Sequence, residues 1–537
     1  MIFNLKTFKG IVPRVNARLL PDSVGQVAKN CKTDSGTLRP FGVTEIKNTP
    51  AKAGIKKTIY LYQSYFWLHW LEDVDVVRGP IAGDTEGKIY WTGDGAPKVA
   101  TASMVTGGGG ATYPNNAYTL GIPAPTIALS QGKIVGDSVD TTQAESRAYV
   151  YTFVSGWGEE GPPSPASIVI DVEPSQSVSI TGIPGIPNGA YNITHKRIYR
   201  TATGPTGTEF KYVGTILAAA TTFDDTVATV DLGETMPSTT WDMPPENLHS
   251  LKLHPAGFMV GLSGKDVCLS MPYMPHAWPE GYRIPIDHTP IGIGIFGSSI
   301  LVVTDSHPYV ITGNDPAYMT KERLEINQAC VSKRGIVDVG YAVAYPSPDG
   351  LIVVGSGTAK NATENLYLRE QWKAKVPAGM FGAFHDGKLY GFFAGETVVF
   401  DLTAEDAKTI DLAPTAAYSD PETDTLYLMV DDDIVSFDTD QATAMAPMTW
   451  RSKIFVAPAP VSPPGIGHVR AAGYPVTVKL YADGILKHTE VAVSGEPFRM
   501  AGGYLAQEYE VEIEASAEVF SVALASTMKA LREAQHT

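Results

Sequence analysis

Gly257-Phe258-Met259-Val260-Gly261-Leu262, answered by Ser299-Ile300-Leu301-Val302-Val303, decides how this chain is read. Each is a short apolar run of strand length, rich in β-branched residues and followed by turn residues. The texture returns at Tyr341-Ala342-Val343-Ala344-Tyr345 with Leu351-Ile352-Val353-Val354, at Lys388-Leu389-Tyr390-Gly391-Phe392-Phe393 and at Thr425-Leu426-Tyr427-Leu428-Met429-Val430. Asp349-Gly350 and Asp386-Gly387 supply the turn chemistry of tight hairpins. The recurrence is roughly every forty residues, and four-stranded propeller blades repeat every ~40–50 residues.

Upstream, the same texture fills Thr58-Ile59-Tyr60-Leu61-Tyr62, Tyr65 to Trp70, and Lys88-Ile89-Tyr90-Trp91 before Gly93-Asp94-Gly95. Counting residues 58–100 as one blade predicts about six. The expected class is mainly β: a discontinuous β-propeller of residues 46–120 and 245–450. Two separate β domains are the competing layout. Gly107 to Gly110, then Pro123 and Pro125, read as linker. Residues 121–244 form an insertion with its own alternation, at Ala148 to Val154, Lys196 to Arg200, Phe210 to Gly214 and Thr222 to Asp225. Short strands with Pro and Gly turns between them predict a small β-sandwich. Its turn Gly158-Glu159-Glu160-Gly161-Pro162-Pro163-Ser164 and its Ile198-Tyr199-Arg200 strand resemble fibronectin type III domains. Pro458, Pro460, Pro463 and Pro464 mark a further boundary. A small C-terminal β domain over 451–537 follows, with a helical turn or two at Met528 to Glu533.

At 537 residues the chain exceeds what one core accommodates, so about three domains are expected. Its 41 basic and 57 acidic residues give a net charge of −16, which repels nucleic acid over most of the surface. No basic stripe of a sequence-reading DNA binder is visible. Cys31, Cys268 and Cys330 lack zinc-site spacing and are too few for a disulfide framework. No apolar run is long enough to span a bilayer as a helix, and the first residues lack a signal-peptide layout.

The first forty-five residues read as an N-terminal arm or clasp. Pro21-Asp22-Ser23 predicts the start of a short helix, with Asp22 or Ser23 as N-cap and Val24, Val27 and Ala28 as its apolar face. Arg14, Arg18 and Arg39, on an otherwise acidic chain, are candidate assembly contacts, since guanidinium forks suit carboxylates across an interface.

Pro13-Arg14, Arg18-Leu19-Leu20-Pro21, Ala28-Lys29-Asn30-Cys31 and Ser35-Gly36-Thr37-Leu38-Arg39-Pro40 together resemble the start of tail nozzle proteins of short-tailed bacteriophages, the tail tubular protein B family. Pro272-Tyr273-Met274-Pro275-His276-Ala277-Trp278-Pro279 is similar to that family's "P-Y-x-P-H-A-W-P" segment, and Gly503-Tyr504-Leu505-Ala506 with Glu508 to Ile513 extends the likeness to the C-terminal end. The resemblance implies a structural virion protein: a homo-oligomeric ring, commonly of six. It would dock on the tail adaptor protein with tail fibres nearby and conduct and gate double-stranded DNA without sequence readout. It implies assembly in the host cytoplasm, a place in the phage tail and contact with the host envelope. The arm is then expected to serve assembly, and its first twenty residues to be dispensable for folding of the propeller.

Beside this resemblance the chain carries little enzymatic grammar. Asp431-Asp432-Asp433 with Asp438 and Asp440 lacks the Gly-and-Glu pattern of an EF-hand and reads as a solvated hairpin tip. His249 and His254 fall on different faces of any regular element, and His276, His288 and His307 sit in turns. Ser347-Pro348-Asp349-Gly350 is the nearest approach to a sialidase box and lacks its aromatic residue. No nucleophile elbow, Walker loop or zinc helix occurs. Trp67, Trp70, Trp91, Trp157 and Trp278 read as core rather than sugar platforms. No catalytic residue, cofactor or metal is expected. The alternative is a β-propeller glycan-binding protein or glycosidase of a phage tail.

Overall fold

A computed structural model describes residues 2–536 apart from 108–111, 131, 138–140, 205–206 and 440–441. Strands hold 46% of the chain and helices 7%, so the fold is mainly β. Each of the five apolar recurrences forms the inner hairpins of a separate antiparallel sheet.

Seven sheets stand around one cavity. Sheet I is the hairpin Thr58–Tyr62 and Phe66–Trp70, and sheet II begins with Asp75–Arg78 and Ile89–Thr92. Sheets III to VII start at His249–Leu253, Pro290–Phe296, Val337–Asp338, Phe381–His385 and Ala416–Asp420. Sheets II to VI each have four strands in simple meander order, counting sheet VI without its extension, and sheet VII has three in that order plus one from upstream. Their first strands are neighbours in turn: II against III, III against IV, and so on to VII, which lies against sheet I. Sheets II and III thus touch directly although residues 121–244 separate them in sequence. This is propeller geometry.

The count of six needs correcting. Residues 58–100 do not make one blade: they divide between sheets I and II. The divider is Asp75-Val76-Val77-Arg78, half-exposed and too polar to stand out as a strand, which pairs with Ile89–Thr92. Sheet VII is completed from far upstream, its outer strand being Glu45–Asn48 paired with Asp433–Phe437. Asp386 (φ 48°) and Gly387 (φ 69°) are both left-handed, the backbone of a type I′ hairpin. Asp349-Gly350 is different: the Ser347 hydroxyl accepts both of their N–H groups and closes that turn instead.

Residues 121–244 fold into two small three-stranded sheets and a two-stranded ladder around Tyr149, Tyr151, Phe153, Val178, Ile180 and Ile198. At the centre a fully buried Arg200 meets a fully buried Asp225 at 2.5 Å, and the Tyr149 hydroxyl donates to the same carboxylate at 2.7 Å. Glu160, from the Gly-Glu-Glu-Gly turn, accepts from Thr152, Tyr199, Arg197 and Ser238, so that turn is locked from beneath. Gly107 is described, but residues 108–110 of the expected glycine linker lie outside the described residues, as does Asp440.

The helix expected from Asp22 is absent. Val24–Gly25 and Val27–Lys29 are short strands. Val27–Lys29 pairs with Met448–Arg451 and touches Thr409 of sheet VI. Local capping chemistry loses here to ladder partners about four hundred residues away. A side chain on Gly25 would also meet the Trp450 indole nitrogen at 2.7 Å, so the backbone runs too close to its neighbour for a helix surface.

The N-terminal segment is not a free arm. Ile2–Leu5 pairs with Val519–Ala525 in the C-terminal unit, and Lys9–Ile11 pairs with Asp406–Ile410 on the rim of sheet VI. Phe3, Leu5 and Phe8 are buried among Trp450, Val478, Leu480, Val511, Ile513, Val522 and Leu524. That core lies between two sheets of the C-terminal unit. One is ordered Ile2–Leu5, Val519–Ala525, Ile466–Ala471, Phe498–Arg499; the other carries Met448–Arg451, Ala506–Ala515, Val476–Ala482 and Ile485–Ala492. Helix Met528–His536 packs Leu531 on one end of the first sheet.

Candidate functional site

The two outer faces of the C-terminal unit differ in how their charges are paired. On one, Glu508, Glu510, Glu512 and Glu514 alternate along a single strand, as period-two side chains must. All four are paired: Glu508 with Arg18, Glu510 with Arg451 at 2.9 Å, and Glu512 and Glu514 with Lys479 at 3.0 and 2.5 Å.

The other face is basic and open. Pairing sets Asn4 beside Ala523 beside His468 in one row, and Ser521 beside Arg470 in the next, where Lys6 follows Leu5. Lys6, His468, Arg470, Tyr474 and Phe520 line a trough of about 620 Å³ with no aspartate or glutamate among its lining residues. Lys6 and Arg470 are exposed and have no ion pair among the described residues; Arg499, on the edge strand of the same sheet, is alike. The Tyr474 hydroxyl donates to the Val469 carbonyl at 3.0 Å, which fixes the ring at the trough wall. Exposed cations without carboxylate partners retain their field for a polyanion, whereas those of the opposite face are neutralised in place.

The sequence singled out Arg14, Arg18 and Arg39, and the structure does not bring them together. Arg14 donates to the Glu364 carbonyl at 2.8 Å beside sheet V. Arg18 forms a forked pair with Glu508 at 2.8 and 3.1 Å, which holds its guanidinium above the usual range. Arg39 lies in the Cys31–Lys32/Arg39–Pro40 ladder with its Nε buried and without a partner among the described residues. Lys6, Arg470 and Arg499 escaped notice because they are scattered through the sequence and meet only through strand register.

The other candidates resolve into structure. Asp432 pairs with Lys56, Asp433 accepts from Thr49, and Asp438 pairs with Lys32. Among the described residues no three His, Cys, Asp or Glu side chains converge as metal ligands would. His254 stacks on Phe258 at 4.2 Å, accepts the Ala256 N–H and donates to the Ser298 carbonyl. Burial lowers the His276 pKa, and its ring meets Trp241 edge-on at 5.8 Å. Trp278 is buried between sheets II and III, donating to the Pro275 carbonyl at 2.8 Å. The Pro272 to Pro279 segment is therefore a wedge where the chain re-enters the ring. Burial pushes the Cys31 and Cys330 thiols up to about 12 and Cys268 to about 11, so none is a ready nucleophile. Trp67, Trp70 and Trp91 are core; Trp157 is half-buried beneath the Lys88 ammonium at 4.4 Å.

A polar cleft opens between sheets VI and VII. His385, Asp386, Asp424, Tyr427 and Ser436 line it, and the Ser436 hydroxyl is buried there without a hydrogen-bond partner among the described residues.

The ring's central cavity, about 310 Å³, is crossed by side chains. Lys333 bridges Asp73 and Asp75 at 3.0 and 2.8 Å, and Lys252 holds Asp338 at 2.7 Å. For Lys333, burial depresses the ammonium, but Asp75 and Asp73 outweigh it and keep the pKa above the ordinary lysine range. Asp75 also accepts the Ser250 N–H, so sheets II, III and the Lys333 turn are tied at one point.

No family's sequence model matches this chain, and no curated protein matches it in sequence. It is similar in structure to the WD40 domain of Pan2 from Neurospora crassa, with 8% identity and a TM-score of 0.28 over 50% of this chain and 86% of that one. AztD from Citrobacter koseri matches with 8% identity and a TM-score of 0.27, over 68% of this chain and 99% of that one. PorZ from Porphyromonas gingivalis matches at 13% identity and a TM-score of 0.28, over 82% and 63% of the two chains. At such identities and scores these likenesses carry no argument about what the chain does.

Proposed function

We propose that the chain is a structural virion protein, the nozzle of a short phage tail. In this reading identical copies form a closed ring, of six by the sequence resemblance, which docks on the tail adaptor protein beside the tail fibres. Duplex DNA passes along its axis without sequence readout, and the protein is no enzyme. The residue 121–244 unit is the fibronectin type III-like insertion of this architecture.

The observation that supports the reading best is the open basic face of Lys6, His468, Arg470 and Arg499 on a chain of net charge −16. A passive conduit needs weak, sequence-independent phosphate contacts on an otherwise repelling surface, and a small unpaired basic face supplies them. The channel would run between copies and not through the propeller, whose cavity the Lys333 and Lys252 ion pairs cross. Rings of identical chains close through heterologous contacts.

Electron microscopy of the purified protein, alone and in tails, tests this. A cyclic ring with a duplex-wide axial channel is the expected result, and a single copy on the tail axis refutes it. DNA-binding titrations over a salt series give a second test. Lys6→Gln with Arg470→Gln is expected to lower the slope of log K against log salt by about 1.8, since each phosphate contact contributes ~0.9. An unchanged slope removes this face from the path of DNA.

The cleft of His385, Asp386 and Asp424 favours a second reading, a glycan-binding protein or glycosidase of a phage tail, because its two exposed carboxylates accept hydrogen bonds from sugar hydroxyls. Reproducible glycan cleavage abolished by Asp424→Asn would install this reading in place of the first.

A further inference from the structure

Asn188-Gly189 is the one Asn-Gly pair in the sequence. It lies in an irregular stretch of the 121–244 unit, between the strands Ser177–Thr181 and Ile193–Gly204. Asn188, Gly189 and Ala190 are all exposed. Neither the Asn188 side chain nor the Gly189 N–H has a hydrogen-bond partner among the described residues. Two observations hold glycine at position 189. Its φ is 141°, and a Cβ there would stand 2.5 Å from the Tyr191 ring. Tyr191 is in turn half-buried against the core of the unit. An unpartnered carboxamide thus precedes a main-chain nitrogen that no side chain crowds.

The same stretch is a joint. The Thr119 N–H donates to the Ala190 carbonyl at 2.8 Å, and the Gly156 N–H to the Asn192 carbonyl at 2.8 Å. Thr119 belongs to Tyr118–Thr119, the outer strand of sheet II, so the first of these bonds ties the inserted unit to the ring.

We infer that Asn188 is a self-modifying site, an asparagine that closes to a succinimide and whose conversion loosens the tie between the inserted unit and sheet II. The Gly189 nitrogen gives up its proton and attacks Asn188 Cγ. The new C–N bond closes a five-membered ring, the Cγ–Nδ2 bond breaks, and the side-chain nitrogen leaves as ammonia. Water then opens the ring. Cleavage between the Gly189 nitrogen and Cγ gives aspartate. Cleavage between that nitrogen and the main-chain carbonyl carbon of Asn188 gives isoaspartate, with the main chain rerouted through Cβ and Cγ. Each conversion consumes one water and releases one ammonia, with no oxidant or reductant. Both products carry a carboxylate in place of an uncharged amide. Isoaspartate also lengthens the main chain just ahead of the Ala190 carbonyl that receives Thr119. Asn361 is the internal contrast: its amide donates to the Asp349 carbonyl and accepts from Thr363, and alanine follows it. This inference does not depend on the nozzle reading, since the site belongs to one chain.

Warm incubation of the full chain in mildly alkaline buffer tests it, followed by peptide mass mapping and by labelling with an isoaspartate-specific carboxyl methyltransferase. The peptide carrying Asn188 is expected to gain the mass difference of OH for NH2 and to accept methyl groups. Its conversion should outpace that of the Asn361 peptide about tenfold or more. Asn188→Gln disfavours the five-membered ring and is expected to abolish both signals. Hydrogen exchange read by mass spectrometry should be faster in the peptide holding Thr119 after conversion, and unchanged in incubated Asn188→Gln. Conversion at Asn188 no faster than at Asn361, methyl labelling that persists in Asn188→Gln, or unchanged exchange at Thr119 in converted chain overturns the inference.

Discussion

Phe8→Ala is expected to destabilise the protein by about 3–5 kcal/mol, the range for emptying an aromatic site in a packed core. Phe8 is wholly buried and meets Trp450 edge-on at 5.0 Å. It lies between two strands that leave in different directions, Ile2–Leu5 to the C-terminal unit and Lys9–Ile11 to sheet VI. The Trp450 indole N–H donates to the Lys9 carbonyl at 2.9 Å, so the cavity left by alanine would loosen that tie as well. Urea denaturation followed by tryptophan fluorescence measures the loss. Arg14→Ala, at an exposed position, is the control and should stay within about 0.5 kcal/mol of the parent. Coincident curves for Phe8→Ala and the parent would mean that the first residues are an appendage after all. The expected result also revises the reading of residues 1–20 as dispensable for folding: removing them takes Phe3, Leu5 and Phe8 from one core together.

Asp225→Ala should cost about 3–5 kcal/mol in the 121–244 unit, because it leaves Arg200 charged, buried and unpaired. Arg147, 3.9 Å from the same carboxylate, would be left as a second cation beside Arg200, and the Tyr149 hydroxyl would lose its acceptor. Asp225→Asn keeps an acceptor while removing the charge, so a smaller loss is expected. Hydrogen exchange read by mass spectrometry on the full chain separates this unit from the ring. Faster exchange should appear in Tyr149–Ser155 and Ile193–Gly204 with sheets III to VII unchanged. Parent-like protection of these strands in Asp225→Ala would show that the buried pair contributes nothing net.

The hairpins of sheets III to VII were legible because their signal is local. Asp386-Gly387 turns where its φ values require, and Phe381 and Ala383 before it and Leu389 and Phe392 after it are buried. What the sequence hid was set by partners far along the chain. Asp22-Ser23 offers fair helix-capping chemistry ahead of Val24 to Lys29, yet the fate of that segment is decided by Arg451 and Thr409. Sheets I and II read as one blade because Asp75-Val76-Val77-Arg78 has no apolar alternation, its burial coming from contact with His249–Leu253 across the insertion. Arg18 looked available for another subunit because nothing local reveals Glu508, 490 residues on.

The outer strand of sheet VII, Glu45–Asn48, has a consequence for biosynthesis. Its partner strand ends at Phe437, so 437 − 48 = 389 residues must leave the ribosome after the first is made. At ~5–20 residues per second that interval is roughly 20–80 s, during which the early strand has a bare edge and no native neighbour. Ile2–Leu5 waits longer still, for Val519–Ala525. Growth of the nascent chain thus leaves both joins open until residues 433–437 and 519–525 have been made, and a chain truncated before residue 433 has a last sheet that cannot be sealed.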